Sequence, residues 1–441
     1  NKERGMESFK LIAAILGIVA VVALLVLKKE TRTVLIGVGL VLCLIALKPM
    51  GALSAFTDYM TKAGLIKAIC ASMGFAFVMK YTMCDKHLVA LLTKPLRNVG
   101  FILIPVTTVL TYFINIAIPS AAGCSAAVGA TLIPLLMASG VRPAMAGAAV
   151  FAGTFGSVLS PGSAHNIYVA DLVKKTVEGY TVQDIIKVQI PSAFTALAIV
   201  VIMLTIVALL FKDYQKGTNF TLENGATSEE KSAFKVNLIY AIMPLVPLVI
   251  LVIGGTSLAK DYSFLAWTKM GVAEAMILGA IIAIFATLTN PQKITKEFFN
   301  GMGHAYADVI GIIIAAGVFV AGLKACGAVD VVIAWLKTDQ SYVKFGGTFV
   351  PFIMGIVTGS GDAATFAFNE AVTTNAAALG FEQDKLGMAA AIAGSLGRSA
   401  SPIAGAAIVC AGIAMVSPVE LAKRTFLGMF LSVVAIAFFV I

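Results

Sequence analysis

The sequence predicts an all-α integral membrane protein of two inverted structural repeats, each with a re-entrant helical hairpin and a broken transmembrane helix. Three observations predict it. Of 441 residues, 59% are hydrophobic and only 12% charged, with a mean hydropathy of +0.96. A soluble domain is about 45 to 50% apolar and about 25% charged, so water is not the solvent for most of this surface. Apolar runs of spanning length recur from end to end, nearly uncharged and broken by single Gly and Pro residues rather than by fibrous or coiled-coil repeats. Helix-breaking segments in the two halves also match in register.

A spanning helix takes roughly 20 residues, so about ten to twelve membrane elements fit the chain. The first run, 9 to 27, is too long for a signal-peptide core and lacks a small-residue cleavage site before Lys28 and Lys29. It is expected to remain as the first transmembrane helix, with Met6 as the natural start. Further apolar spans lie at 33 to 47, 65 to 81, 99 to 118, 143 to 172 and 190 to 211. The polar stretch 212 to 235 then reads as a linker between a first repeat, 1 to 211, and a second, 236 to 441. Spans of the second repeat are 236 to 254, 263 to 289, 306 to 325, 344 to 358, 386 to 416 and 425 to 441. The basic segment 85 to 97 reads as a short loop with a cytoplasmic bias, but Lys28, Lys29 and Arg32 lie one hairpin away and leave orientation open.

Several function classes drop out. The net charge of +9 comes without a basic stripe interleaved with aromatics, so it reads as the Lys and Arg of membrane loops and not as a nucleic-acid surface. Six cysteines form no C-x-x-C pair, and three histidines form no H-E-x-x-H or Cys/His cluster, so no metal site or cofactor is expected. The chain also lacks a G-x-x-x-x-G-K-[ST] phosphate loop, which argues against ATP hydrolysis.

The repeat is the most informative feature. AAVFAGTFGSVLSP (148 to 161) lies over AAAIAGSLGRSASP (389 to 402) without a gap, pairing Gly153 with Gly394, Gly156 with Gly397, Ser160 with Ser401 and Pro161 with Pro402. Alanine pairs are common in an Ala-rich chain, whereas two Gly pairs and a Ser-Pro pair in one register are not. Upstream, IAIPSAAG (116 to 123) and GIVTGSGDAA (355 to 364) each end a span in a small-residue turn. The short apolar segments that follow, near 119 to 140 and 359 to 380, are expected as re-entrant hairpins, because a segment that bends back has too few residues per arm to cross ~30 Å of hydrocarbon.

The broken helices are expected near 143 to 172 and 386 to 416. Ser160 and Ser401 fit N-cap positions, with Pro161 and Pro402 at the first helical position, where a missing N–H is no loss. Each half would then aim a half-helix N-terminus, with free N–H groups and positive dipole, at an anion in mid-membrane. Close packing of small residues accounts for Gly394 and Gly397 but not for the Ser-Pro pairs or the turns. Paired interrupted spans of this kind point to the binding site of a secondary transporter.

Arg398, inside the second break, is the principal site candidate, because a central Arg costs about 2.5 to 3.5 kcal/mol and needs a partner. A substrate carboxylate matches the guanidinium fork; Asp362 or Glu370 is the protein alternative. The first repeat has Ser157 at the equivalent position, so the site is asymmetric. Asp362 and Glu370 are assigned as coupling residues or charge partners, for a proton or sodium ion. Hydrogen-bonding candidates at the turns and breaks are Ser120, Ser125, Ser160, Ser163, His165, Asn166, Ser360, Gly361, Thr365, Gly397, Ser399, Ser401 and Pro402.

The runs VTGSGDAATFAFNEAV and LGRSASPIAGAAIVCAGIAMVSPVELAKRT resemble the anaerobic dicarboxylate carriers of DcuC type. GTFGSVLSPGSAHN resembles a weakened form of the glycine-rich, Pro-Asn-containing turn of the wider ion transporter superfamily. This resemblance implies secondary transport of four-carbon dicarboxylates such as succinate, fumarate and malate across a bacterial inner membrane, by exchange or cation coupling. It also implies a homodimer in the lipid bilayer, with an elevator motion of the part that carries hairpins and broken helices. Site positions carried by the resemblance are Ser360, Gly361, Asp362, Glu370, Gly397, Arg398, Ser401 and Pro402. Asp362 departs from the neutral amide of many members, and an extra carboxylate repels a dianion unless it is protonated or holds a cation. Competing readings are a carrier for another small organic anion or an amino acid, a channel, and a membrane-embedded enzyme. The last lacks a visible nucleophile, base or metal set.

Overall fold

Hydrocarbon offers no partner for a free backbone N–H or C=O, so nearly the whole chain is helical. The computed structural model describes all residues except 1, 28, 94–99, 221–234, 255, 257, 337, 339, 440 and 441. The first half contains α1 (Lys2–Val26), α2 (Thr31–Ile45), α3 (Pro49–Met60), α4 (Ala63–Tyr81), α5 (Cys84–Thr93), α6 (Leu103–Ala117), α7 (Ala121–Ala138), α8 (Pro143–Ala152), α9 (Ala164–Lys174) and α10 (Val182–Leu210). The second begins with α11 (Leu238–Ile242), α12 (Val246–Gly254), α13 (Leu258–Asp261), α14 (Val272–Thr287), α15 (Pro291–Ala305) and α16 (Gly311–Ala325). It ends with α17 (Ala328–Leu336), α18 (Gln340–Thr358), α19 (Gly361–Ala371), α20 (Gln383–Arg398), α21 (Gly405–Ala414) and α22 (Pro418–Phe439). Among the described residues, eight segments are long and apolar enough to cross a membrane, and four shorter helices are apolar as well. Large apolar side chains such as Phe9, Leu16, Phe285 and Phe439 stay exposed on the outside, as lipid contact permits.

Element order repeats between the halves. In the first, α6, a turn, α7, α8, a break, α9 and α10 follow one another; in the second, α18, a turn, α19, α20, a break, α21 and α22 do. The largest apolar cluster draws on both sets, with Tyr112, Phe151, Phe155, Phe352, Leu396 and Met429 among its buried members. A second cluster joins α4, α14, α15 and α16, and a third joins α1, α2 and α16. The breaks and turns thus share one core, flanked by helices that contribute no break.

The structure departs from the sequence reading in several places. Ala121–Ala138 is one helix with Pro134 inside it, so the segment near 119 to 140 does not fold back on itself. The turn precedes it at 118–120, and α6 is the other arm; likewise α18 and α19 are the arms around the turn at 359–360. A small-residue turn marks where a chain reverses, and the sequence does not say which neighbouring run is the partner arm. The basic segment 85 to 97 is mostly helix α5, with 94–97 outside the described residues. Helix α3 lies between the expected spans, and the expected span 263 to 289 is shortened to α14, preceded by a 3-10 turn at Ser263–Thr268. Finally, residues 212–220 of the expected linker are pinned to the first repeat: Arg142 N donates to Asp213 O (2.8 Å), Gln215 N to Gly140 O (2.8 Å) and Phe220 N to Met137 O (3.1 Å). Residues 221–234 lie outside the described residues.

Asp213, fully buried, also receives both arms of the Arg424 guanidinium from α22, Nε to Oδ2 at 2.8 Å and Nη2 to Oδ1 at 3.0 Å. This fork ties the segment after α10 to the last helix, α22, where Glu420 takes Nη1 at 3.0 Å. Asp213→Asn leaves the Arg424 charge without its buried counterpart and is expected to cost about 3 kcal/mol. A lower melting temperature in detergent is the readout; an unchanged one would show that the pair does not hold the repeats together.

Candidate functional site

Gly, Ser and Pro crowd the two breaks, and each residue type has a local cause. In the first, α8 gives way to a 3-10 stretch at Gly153–Leu159, and Pro161 and Gly162 form a turn closed by Ser163 N donating to Ser160 O at 3.2 Å. In the second, α20 ends at Arg398 and 399–404 turns before α21. Glycine is required where helices touch backbone to backbone. A Cβ on Gly156 would collide with the main chain of Tyr112 on α6, and one on Gly397 with that of Phe352 on α18. Each break is therefore pressed against the first arm of its own turn.

The helices after the breaks start later than the Ser-Pro pairs suggest. Ser163 and Ala404 occupy the N-cap positions, not Ser160 and Ser401, because each proline opens a tight turn rather than a helix. Neither N-cap residue bonds the helix through a side chain, so α9 and α21 begin uncapped. The turn helices differ: Ser120 caps α7 by accepting from Gly123 N at 3.1 Å, and Ser360 caps α19 by accepting from Ala363 N at 3.3 Å.

Side-chain amides and hydroxyls hold the breaks open. Asn115 on α6 accepts from Ser157 N at 2.7 Å and donates to Ile118 O at 2.9 Å, joining the first turn to the first break. Asn166 donates to Val158 O (2.9 Å) and Ser160 O (2.8 Å), satisfying carbonyls the break leaves without helical partners. Ser401 donates to Ile356 O at 2.7 Å, joining the second break to α18. The breaks meet where Arg398 Nη2 donates to Thr154 O at 2.7 Å and the Thr154 and Ser399 hydroxyls lie 3.4 Å apart.

The pairing of helix ends is reciprocal. His165, in the first turn of α9, lies with its Nδ1 3.2 Å from Asp362 Oδ1, in the first turn of α19. A Cβ on Gly405, at the start of α21, would lie 3.7 Å from Ala122 Cβ, at the start of α7. The break of each repeat is therefore matched with the turn of the other, and four helix N-termini converge on one region. Their dipoles favour an anion there.

Arg398 supplies the full positive charge. Among the described residues no carboxylate oxygen lies within 4.0 Å of it, and its buried Nε has no hydrogen-bond partner. Asp362 is taken by His165, whose Nε2 lies 3.0 Å from Ser163 Oγ, and Glu370 is engaged elsewhere. Ser157, Ser399 and Ser401 are buried beside it, and Ser157 Oγ lacks a partner. A cavity of about 410 Å³ opens on the far side of the second break, lined by Lys29, Thr31, Thr358, Pro402 and Ile403 among others.

Most of the sequence candidates thus come together: Ser120, Ser160, Ser163, His165, Asn166, Ser360, Gly361, Asp362, Gly397, Arg398, Ser399, Ser401 and Pro402 lie on the turns, breaks and helix starts that meet here. Thr365 sits one turn deeper, bonded to Ala390 O at 3.4 Å in the contact of α19 with α20. Ser125 is buried within α7, beside Cys410 of α21. Glu370 lies two turns along α19, beside Lys62 and Tyr168. The sequence reading passed over Asn115 and Thr154. Asn115 was open to detection as a lone amide inside the apolar run 99 to 118; Thr154 acts through its backbone carbonyl, which no sequence pattern marks.

Three comparisons bear on this site. Residues 41–441 match the family model DcuC, described as C4-dicarboxylate anaerobic carrier. An uncharacterised transporter of Haemophilus influenzae is 53% identical over 285 residues, which is 64% of this chain and 100% of that one. The anaerobic C4-dicarboxylate transporter DcuC of Escherichia coli is 26% identical over 375 residues, 82% of this chain and 76% of that one. Among solved structures, Neisseria gonorrhoeae MtrF, described with a class of antimetabolite efflux pumps, has the same fold at a TM-score of 0.62 and 13% identity, over 88% of this chain and 82% of that one.

Asn115→Ala removes both bonds that join the first turn to the first break and leaves a buried N–H and C=O unpaired, at about 1 to 3 kcal/mol each. A lower melting temperature together with weaker binding of the transported anion is expected, although Arg398 is untouched. If both stay at wild-type values, the break does not depend on this clamp.

Proposed function

The chain belongs to the DcuC family of C4-dicarboxylate anaerobic carriers, and from that premise we propose that it moves succinate, fumarate or malate across the membrane by alternating access. As a member it is a multi-pass transporter of the bacterial inner membrane and not an enzyme. One observation carries the finer reading. Arg398, a cation with no carboxylate oxygen within 4.0 Å among the described residues, stands where two uncapped helix N-termini and two capped ones converge. Such a charge is costly without a counterion, and a substrate carboxylate is the counterion whose shape its fork fits.

A dicarboxylate presents two such groups. One carboxylate binds Arg398 and the hydroxyls of Ser399 and Ser401 near the start of α21. The other lies toward the uncapped start of α9, with Ser163, His165 and Asn166. Asp362 sets the charge balance at that second pole: while it holds His165 it repels a dianion, and a proton or sodium ion that neutralises it admits one. Exchange and cation coupling both use this arrangement.

The reciprocal pairing of breaks and turns supports two repeats related by an inverted pseudo-two-fold axis, with α6–α7 and α18–α19 as re-entrant hairpins. In this reading the shared core of breaks and turns travels as an elevator against the flanking helices α1–α4 and α14–α16. A homodimer, which the family resemblance implies, would anchor those flanking helices; the mass of the detergent-solubilised protein measures it.

Uptake of radiolabelled succinate into proteoliposomes loaded with fumarate, or empty under an imposed pH or sodium gradient, tests the reading. Arg398→Ala is expected to lower uptake at least about 30-fold, since truncating one side of a buried charge pair costs 2 to 5 kcal/mol or more. Arg398→Lys keeps the charge without the fork and should fall between. Folded protein that takes up no succinate in any arm would sink the four-carbon assignment in favour of another organic anion or an amino acid. Asp362→Asn should bind succinate several-fold more tightly and depend less on the coupling gradient. Unchanged affinity and gradient dependence would remove Asp362 from the site.

A further inference from the structure

A second ionic centre lies away from Arg398. Glu370 is two turns from Asp362 along α19, roughly 12 Å at 1.5 Å per residue, and its side chain is only 13% exposed. Tyr168 on α9 donates its hydroxyl to Glu370 Oε2, and the Tyr59 hydroxyl of α3 also interacts with this carboxylate. Lys62, in the bend between α3 and α4, places Nζ 3.9 Å from Oε2, beyond hydrogen-bonding distance. Its ammonium instead lies 3.4 Å from the centroid of the Tyr59 ring. That ring in turn needs Gly317 of α16, where a Cβ would stand 2.6 Å from Tyr59 Cε2. The other charged groups acting on this pair are Asp171, Lys175 and Lys324.

Three features separate this cluster from a structural salt bridge. The Asp213–Arg424 pair is bidentate at 2.8 and 3.0 Å, whereas the Lys62–Glu370 pair is loose and each partner has an alternative, the Tyr59 ring for the cation and two phenol hydroxyls for the anion. The groups also come from different bodies. Glu370 and Tyr168 stand on the helices that carry the turn and the break, and Lys62 and Tyr59 on the flanking α3–α4 segment. Finally, both charged groups are largely buried, with side-chain exposures of 21% for Lys62 and 13% for Glu370, and charges taken out of water are costly unless paired.

We infer that the Glu370 carboxylate, held by Tyr168, Tyr59 and Lys62, is a proton-binding site that couples proton movement to transport. The inference rests on the carrier reading above and adds the coupling ion and its place. A proton taken from water on one side adds to a Glu370 oxygen and gives the neutral acid; Lys62 remains an ammonium, and the cluster passes from zero net charge to +1. Loss of the ion pair frees the α19 side of the interface to move past α3–α4, and the proton leaves to water on the other side. Asp362, two turns away, keeps its part in setting the charge balance at the substrate pole, and Glu370 adds a second proton-binding group at the edge of the flanking helices.

The full-length protein in proteoliposomes decides it, with radiolabelled succinate in two arms: counterflow against unlabelled succinate without a gradient, and accumulation driven by an imposed pH gradient. Glu370→Gln is expected to keep counterflow within about twofold of wild type and to lose at least about tenfold of gradient-driven accumulation. Tyr168→Phe, which keeps the acid, should retain both and displace the pH profile of driven uptake. Driven accumulation that survives Glu370→Gln overturns the inference, as does a wild type indifferent to the pH gradient, or loss of counterflow in both variants, which would mark a structural pair. Wild type without succinate transport in either arm defeats the carrier reading itself, and this inference with it.

Discussion

In hydrocarbon every backbone N–H and C=O must find its partner within the protein, and the two interrupted spans are where this chain leaves the helix that would supply them. The interruptions persist because specific groups take over. Asn166 covers the carbonyls of Val158 and Ser160, Asn115 covers Ser157 N and Ile118 O, and Arg398 covers Thr154 O. Among the described residues, the groups left uncovered there include the first N–H groups of α9 and α21 and the Nε of Arg398, together with Ser157 Oγ and Asn166 Oδ1. The N–H groups stand at the positive ends of helices beside a guanidinium, which makes that part of the region complementary to an anion.

The breaks alone would give two half-sites. Their union follows from the reciprocal pairing, in which His165 of the first break meets Asp362 of the second turn while the start of α21 meets the start of α7. Glycines make that approach possible: Gly156 lets the first break lie against the main chain of α6, and Gly397 lets the second lie against that of α18. Where the repeats differ is equally informative. Ser157 stands where the second repeat has Arg398, so a site of near-symmetric architecture has one strong cation and a defined direction for an asymmetric load of charge.

Much of this was legible in the sequence, because the constraint acts on residue types. Gly, Ser and Pro in one register mark a backbone that must break, and Arg398 inside an apolar run marks a charge that must be met. Exact helix starts were not legible, since Ser160-Pro161 and Ser401-Pro402 serve equally as an N-cap or as a turn, and packing selects the turn. The arms around the turn at 118–120 were not legible for a related reason: the turn is visible, but its pairing with α6 depends on contacts across α6 and α7. Thr154 was invisible because its contribution is a carbonyl. Nothing in the sequence marks Lys62 as a partner of Glu370, more than 300 residues away, beside which the fold sets it.

Charge geometry sorts the remaining polar groups by role. Arg424 and Asp213 meet in a buried two-pronged fork, which fixes both side chains and leaves neither free to exchange partners. Arg398 has its hydrogen bond to a carbonyl and, among the described residues, no carboxylate oxygen within 4.0 Å, an arrangement that suits a ligand that comes and goes. Lys62 and Glu370 fall between these cases, close enough for mutual stabilisation and too far for a hydrogen bond, each with a second partner at hand. The more tightly an ion pair is held, the more it costs to separate inside a membrane. The tight fork joins α22 to the end of α10, and the loose pair joins α19 to the bend between α3 and α4.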